Sequence, residues 1–175
     1  MPNQYHREPL TQTETSTLAD ACESSLEKII VWTLLDTGLR VSELASLDRD
    51  DLDFKSHRLL IFGKAGRHGT EGKDRIVPMT DRISPLLEAY FSMNETFGYT
   101  ERHIHRIVKR VASRAKIERP VSPRVLRDTF AVDAIQEGLS LPALQRILGH
   151  ESLTTTATYL NISPEDAFRE FKRKL

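Results

Sequence analysis

With one cysteine, Cys22, in 175 residues, the chain cannot form an internal disulfide, and this usage predicts a soluble protein of the reducing cytoplasm. No apolar run approaches the roughly 20 residues of a membrane-spanning helix, and the polar N-terminus is no secretory signal. Net charge is missing too, with 25 lysines and arginines against 25 aspartates and glutamates. The zero total hides a marked polarity. Residues 14–53 hold ten acids against three bases, a net of −7, and residues 101–127 hold nine bases against two acids, a net of +7. One face is thereby suited to a polyanion and another to water or a protein. The length suffices for one domain with a buried core.

Residues 1–14 are polar, with Pro2 and Pro9, and read as an arm with little fixed structure, so the domain is expected to run over 15–175. Ser24 followed by Glu27 matches a capping box, and Leu26, Ile29, Ile30, Thr33 and Leu34 recur at helical spacing. This predicts a helix over 24–36, closed by Gly38. A short helix over 41–47 turns Leu44 and Leu47 inward, with Arg40 at the junction and Glu43 one turn on. D-L-D-F and H-R-L-L-I-F within 52–62 read as two short strands, and K-D-R-I-V-P-M at 73–79 as a third. Between the last two lies G-K-A-G-R-H-G-T-E-G, whose four glycines favour a mobile loop with a basic tip at Arg67. A helix over about 81–94 presents Leu86, Leu87, Tyr90 and Phe91 to the core.

The helix expected over 101–116 is the clearest amphipathic element. Ile104, Ile107, Val108, Val111 and Ala115 form its apolar stripe, while Arg102, Arg106, Arg110 and Arg114 repeat every four residues on another face. Stacked arginines without acidic partners repel one another, which favours phosphate contact over a merely solvated face. Leu126, Phe130 and Ala134 pattern the next helix, ending near Gly138. Leu141, Leu144, Ile147 and Leu148 pattern a further short one, with Pro142 in its first turn. Pro164 opens a terminal helix through Phe168 and Phe171, expected over 164–173. The whole is an α+β fold, mainly helices around a small three-stranded antiparallel sheet.

The last third carries the chemistry. Arg124 and Arg127, three residues apart, share a helical face and can grip phosphate oxygens with paired hydrogen bonds. His150 follows Gly149, and nine residues later Tyr159 offers a hydroxyl nucleophile. Taken singly, these features are ordinary. Arg40 would be a surface ion pair with Glu43, Tyr159 half-buried packing, His150 a helix cap and Lys64 a solvated loop residue.

Taken in order, T-G-L-R-V-S-E-L at 37–44, the G-K loop before K-D-R-I-V-P, R-V-L-R-D-T-F-A at 124–131, L-G-H at 148–150 and the tyrosine beyond resemble the catalytic domain of the tyrosine recombinases, the phage-integrase and Xer-like family. The likeness covers about 15–175. It implies a DNA breaking-rejoining fold and site-specific cleavage and rejoining of double-stranded DNA through a covalent 3′-phosphotyrosine, with no cofactor and no metal. Arg40 and Arg127 match the two catalytic arginines, His150 the phosphate-donating position and Tyr159 the nucleophile. Lys64 matches the general-acid lysine, with Lys73 a rival. Arg67, Lys73, Arg102, Arg106, Arg110 and Arg114 would bind DNA. His103 and His105 lack further metal ligands at useful spacing and read as surface residues.

Two positions depart from the family pattern. Arg124 and Asp128 stand where histidines are usual, and an arginine cannot accept a proton near neutral pH. Arg124 is therefore read as a third phosphate donor, and Glu43 and Asp128 as partners that orient arginines. The crowd of cations is expected to favour the Tyr159 phenolate. Family members also carry an N-terminal helical domain, for which residues 1–14 leave no room, so weak and salt-dependent DNA binding is expected of this domain by itself. The full protein is expected to act as a tetramer on DNA, its terminal helix packing on a neighbouring protomer. A silent DNA-binding domain and a type IB topoisomerase-like relaxing enzyme are the alternative readings.

Overall fold

The computed structural model describes residues 8–63 and 74–160, so Lys64, Arg67, Lys73 and the helix expected over 164–173 lie outside the described residues. Thr11 opens helix α1 (Gln12–Asp20) through a reciprocal capping box, its Oγ accepting from Glu14 N–H and its own N–H donating to Glu14 Oε2. Within the polar arm expected over 1–14, the described residues 8–14 are thus ordered. Leu10 is buried, and its N–H donates to Thr129 Oγ1 at 2.8 Å. Arg119 pairs with Glu14 at 2.6 Å and takes the carbonyls of Glu8 and Pro9. A polar composition did not reveal that one leucine and one guanidinium strap this segment down.

Helix α2 (Ser25–Thr37) is the axis of the core, with Ile29, Ile30, Val31, Leu34 and Leu35 all buried. Ser24 caps it as expected, but Glu27 turns to the N–H of Glu23 rather than completing the box. Gly38 ends the helix at φ 62°, a left-handed conformation that favours glycine. A Cβ there would stand 2.4 Å from Phe130 and 2.8 Å from Leu148. Gly38→Ala is therefore expected to lower stability by about 2–3 kcal/mol, combining left-handed strain with overpacking. A denaturant midpoint equal to wild type would contradict this.

Helix α3 (Val41–Ala45) follows at once and buries Leu44. Strands β1 (Leu52–Asp53), β2 (Arg58–Ile61) and β3 (Arg75–Pro78) form the expected three-stranded antiparallel sheet in sequence order. Leu59 pairs with Val77 and Leu60 with Ile76. The period of two sends Leu59, Ile61 and Val77 into the core and leaves Leu60 and Ile76 outside. Helix α4 (Ser84–Phe91) is shorter than expected and buries Leu87 and Phe91.

Thr100 caps α5 (Glu101–Arg114), whose Ile104, Ile107, Val108 and Val111 are buried as the stripe predicted. Ser122 caps α6 (Pro123–Gln136), which packs along α2. Ser140 caps α7 (Leu141–Leu148), ended by Gly149 at φ 66°. Helix α8 (Leu153–Ala157) runs into a 3₁₀ turn, Thr158–Leu160. Ala131, Leu144 and Leu148 make a second small core on which Tyr159 rests. Among the described residues, no helix is long and apolar enough to cross a membrane.

Candidate active site

The site forms where the ends of α2 and α7 meet the start of α3, the inner face of β3 and the outer turn of α6. Glu43 stands at its centre, its side chain only 11% exposed. Its carboxylate accepts four hydrogen bonds at 2.7–2.8 Å, from Arg40 N–H, Arg40 Nη1 and both terminal nitrogens of Arg75. Arg127 approaches the same carboxylate at 4.0 Å. Burial pushes the Glu43 carboxyl up, but Arg75 and Arg40 pull harder and hold it below the ordinary carboxylate range. Three guanidiniums around one carboxylate leave two positive charges uncompensated within this cluster, which is a built anion site. The expectation that Glu43 orients arginines is met.

Arg75 was not anticipated as part of the site. Arg75 lies on the same face as buried Val77, and a cation on the inner face of a strand is itself a signal. Besides gripping Glu43, its Nε donates to Ile147 O at 2.7 Å, which ties β3 to the last turn of α7.

Arg127 is 7% exposed and reaches across the domain. It donates to Gly38 O, to Leu148 O at 2.7 Å and to His150 Nε2 at 3.2 Å. Among the described residues these contacts use three of the five donors of a guanidinium. Burial, then the charge of Arg40, pulls its pKa down to about 10, so it stays charged at neutral pH. Arg40 is held by Glu43 and by Gly149 O at 3.2 Å, with its side chain 45% exposed toward the same opening. Arg124 stands exposed one turn before Arg127.

His150 is half-buried, and burial together with Arg127, Arg40 and Arg75 pushes its pKa down to about 4, so it is neutral. A guanidinium only donates, so His150 Nε2 accepts from Arg127 and Nδ1 carries the proton, donating to buried Thr156 Oγ1 at 3.0 Å. In this arrangement Thr156 and Arg127 fix the ring, and a role as phosphate donor requires the other tautomer.

Tyr159 stacks beside His150, ring centroids 6.2 Å apart, and donates its hydroxyl to Asp128 Oδ1 at 2.8 Å. The phenolate expectation is reversed. Burial first, then the Asp128 hydrogen bond and charge, push the phenol up to about 12, against the weaker pull of Arg127 and Arg124. Asp128 takes the tyrosine as its partner, where an arginine had been expected.

On α5, Arg102, Arg106 and Arg110 are exposed as a basic row, with Arg106 also reaching His103 Nδ1 at 3.0 Å. His103 stacks on Tyr99 at 5.0 Å. Arg114 corrects the reading of four arginines without acidic partners. It grips Glu27 at 2.8 Å and Glu23 at 3.1 Å and donates to Ala21 O, so it ties α5 to the start of α2.

A mainly helical domain with a three-stranded antiparallel sheet, closing three arginines around one buried carboxylate with a histidine and a tyrosine alongside, is a tyrosine recombinase catalytic domain in architecture. The chain belongs to the phage integrase family, whose model matches residues 8–166. It is 32% identical to a tyrosine recombinase of Thermosipho africanus, over 94% of this chain and 60% of that protein. It is 29% identical to the tyrosine recombinase XerA of Saccharolobus solfataricus, over 95% of this chain and 56% of that protein. A crystal structure of XerA recombinase superposes with a TM-score of 0.82 at 27% identity, covering 95% of this chain and 63% of that one. The catalytic domain of bacteriophage HP1 integrase shares the fold, with a TM-score of 0.68 at 24% identity over 94% of both chains. The chain thus spans under two thirds of the length of its curated relatives.

Proposed function

We propose that this chain is the catalytic part of a site-specific recombinase that cuts and rejoins double-stranded DNA through Tyr159. The observation that carries the reading is the convergence of Arg40, Arg75 and Arg127 on Glu43, with Tyr159 and His150 on its border. A phosphodiester seated there meets the free donors of Arg127 and Arg40. Tyr159 Oη attacks phosphorus, and the negative charge growing on the non-bridging oxygens is stabilised by those guanidiniums, with Arg124 at the rim. The 5′ oxygen leaves with a proton from Lys64, or from its rival Lys73. The 3′-phosphotyrosine conserves the bond energy, so a second 5′ hydroxyl reverses the step without ATP.

Arg102, Arg106 and Arg110 extend the cationic surface and would track the DNA backbone. Exchange between two duplexes calls for further copies of the protein on the DNA. The test is capture on a nicked suicide duplex, which loses a short fragment after cleavage and cannot religate. A denaturant-stable protein–DNA band is expected from the wild type and none from Tyr159→Phe. DNA bound but never captured would favour a silent DNA-binding domain.

A further inference from the structure

Cleavage by Tyr159 must dispose of the phenolic proton, and among the described residues of the site the candidates to receive it are few. Arg124 has no lone pair to offer. His150 already accepts from Arg127 at Nε2 and donates to Thr156 from Nδ1. The Glu43 carboxylate is occupied by Arg40 and Arg75. The group that Tyr159 Oη donates to is Asp128 Oδ1, at 2.8 Å, from the residue that follows Arg127 on α6. A base within hydrogen-bond reach of its nucleophile meets the first geometric requirement of general-base catalysis.

We propose that Asp128 is the catalytic proton acceptor for Tyr159 in strand cleavage and returns the same proton in rejoining. The inference rests on the reading of Tyr159 as the nucleophile. As the Oη–P bond forms and the P–O5′ bond breaks, the phenolic proton passes to Asp128 Oδ1, while the 5′ oxygen takes its proton from the general acid. Religation reverses both transfers, so atoms and charge balance. Tyr159 faces Asp128, Arg127 and Arg124 from α6 and His150 from the turn before α8. A phenol raised to about 12 is ionised at pH 7 in only about one molecule in 10⁵. Prior ionisation therefore supplies little, and transfer during attack is the better route. The same carboxylate that holds the resting phenol protonated thus becomes its base when phosphorus arrives.

The test uses the whole chain and nicked suicide duplexes with randomised flanks, enriched for covalently captured sequences. Asp128→Asn keeps an acceptor oxygen but not a base. It is expected to lower single-turnover cleavage by about 10²–10⁴-fold at pH 7. Its residual rate should rise tenfold per pH unit, because only the phenolate now attacks, while the wild type stays flat. Asp128→His restores an acceptor, and its rescue should fade below about pH 6.5. A 5′-phosphorothiolate duplex, whose sulfur leaves without protonation, should rescue Lys64→Ala but not Asp128→Asn. Equal melting temperatures show that the variants are folded. If a folded Asp128→Asn cleaves as fast as wild type or faster, the contact is a restraint on Tyr159 and the proposal fails. Rescue of Asp128→Asn by sulfur would place Asp128 on the leaving group and overturn it too. DNA bound by the wild type but never captured would instead remove the reading of Tyr159 on which the proposal stands.

Discussion

Arg127→Ala is expected to abolish detectable strand cleavage while leaving a folded but weakened protein. Loss of one donor aimed at developing charge costs about 3–4 kcal/mol of transition-state stabilisation, or about 10²–10³ in rate. Here the same side chain also joins Gly38 O, Leu148 O and His150 Nε2. Its removal releases the end of α2 from the end of α7 and frees the histidine ring, so the rate loss should exceed that of a donor acting singly. Arg127→Lys makes the distinction sharp. A lysine keeps the charge but presents a compact ammonium in place of a planar fork, and it cannot span two carbonyls and an imidazole at once. Its cleavage rate should lie near that of Arg127→Ala. A lysine variant within tenfold of wild type in single-turnover cleavage would show that charge alone matters there.

The second large effect falls on stability. Glu43→Gln is expected to cost about 3–5 kcal/mol, the range for removing one partner of a buried ion pair. Arg40 and Arg75 lose the carboxylate that gathers them, Arg127 loses its neighbour at 4.0 Å, and three cations are left facing one another. The pH dependence follows from a folded carboxyl held below its ordinary value of 4.5. Below the unfolded value the unfolded state binds the extra proton, so stability from Glu43 is complete above about pH 4.5 and lost as pH falls through the folded value. The gap between wild type and Glu43→Gln should thus be constant near neutrality and close in acid. Urea unfolding at several pH values measures it, and coincident curves at pH 7 would contradict the role given to Glu43.

Much of this was legible in the sequence because the signals were local. Helical spacing placed α2, α5, α6 and α7, Gly38 marked the end of α2, and period-two alternation found the three strands. The family motifs named Arg40, Arg127, His150 and Tyr159; in the structure Arg40 and Arg127 border Glu43, Arg127 meets His150, and Tyr159 stacks beside that histidine. What escaped was set by tertiary pairing. The ordering of residues 8–14 depends on Arg119 and Thr129, over 100 positions away. Arg75 enters the site only because the sheet turns it toward Glu43, and Arg114 leaves the basic row only because α2 brings it Glu27. The phenol was expected to ionise more easily because arginines surround it in sequence. In space burial of the ring weighs most, and the Asp128 carboxylate that accepts the hydroxyl at 2.8 Å adds to it, together outweighing the pull of Arg127 and Arg124.

The most direct measurement is the site of covalent attachment. Captured complexes would be digested with nuclease and protease, and the nucleotide-bearing peptide sequenced by mass spectrometry. A single adduct on Tyr159, absent from Tyr159→Phe, is the expected result. A nucleotide on another residue, or DNA cut with no adduct at all, would contradict the reading of this domain as a tyrosine-dependent strand transferase.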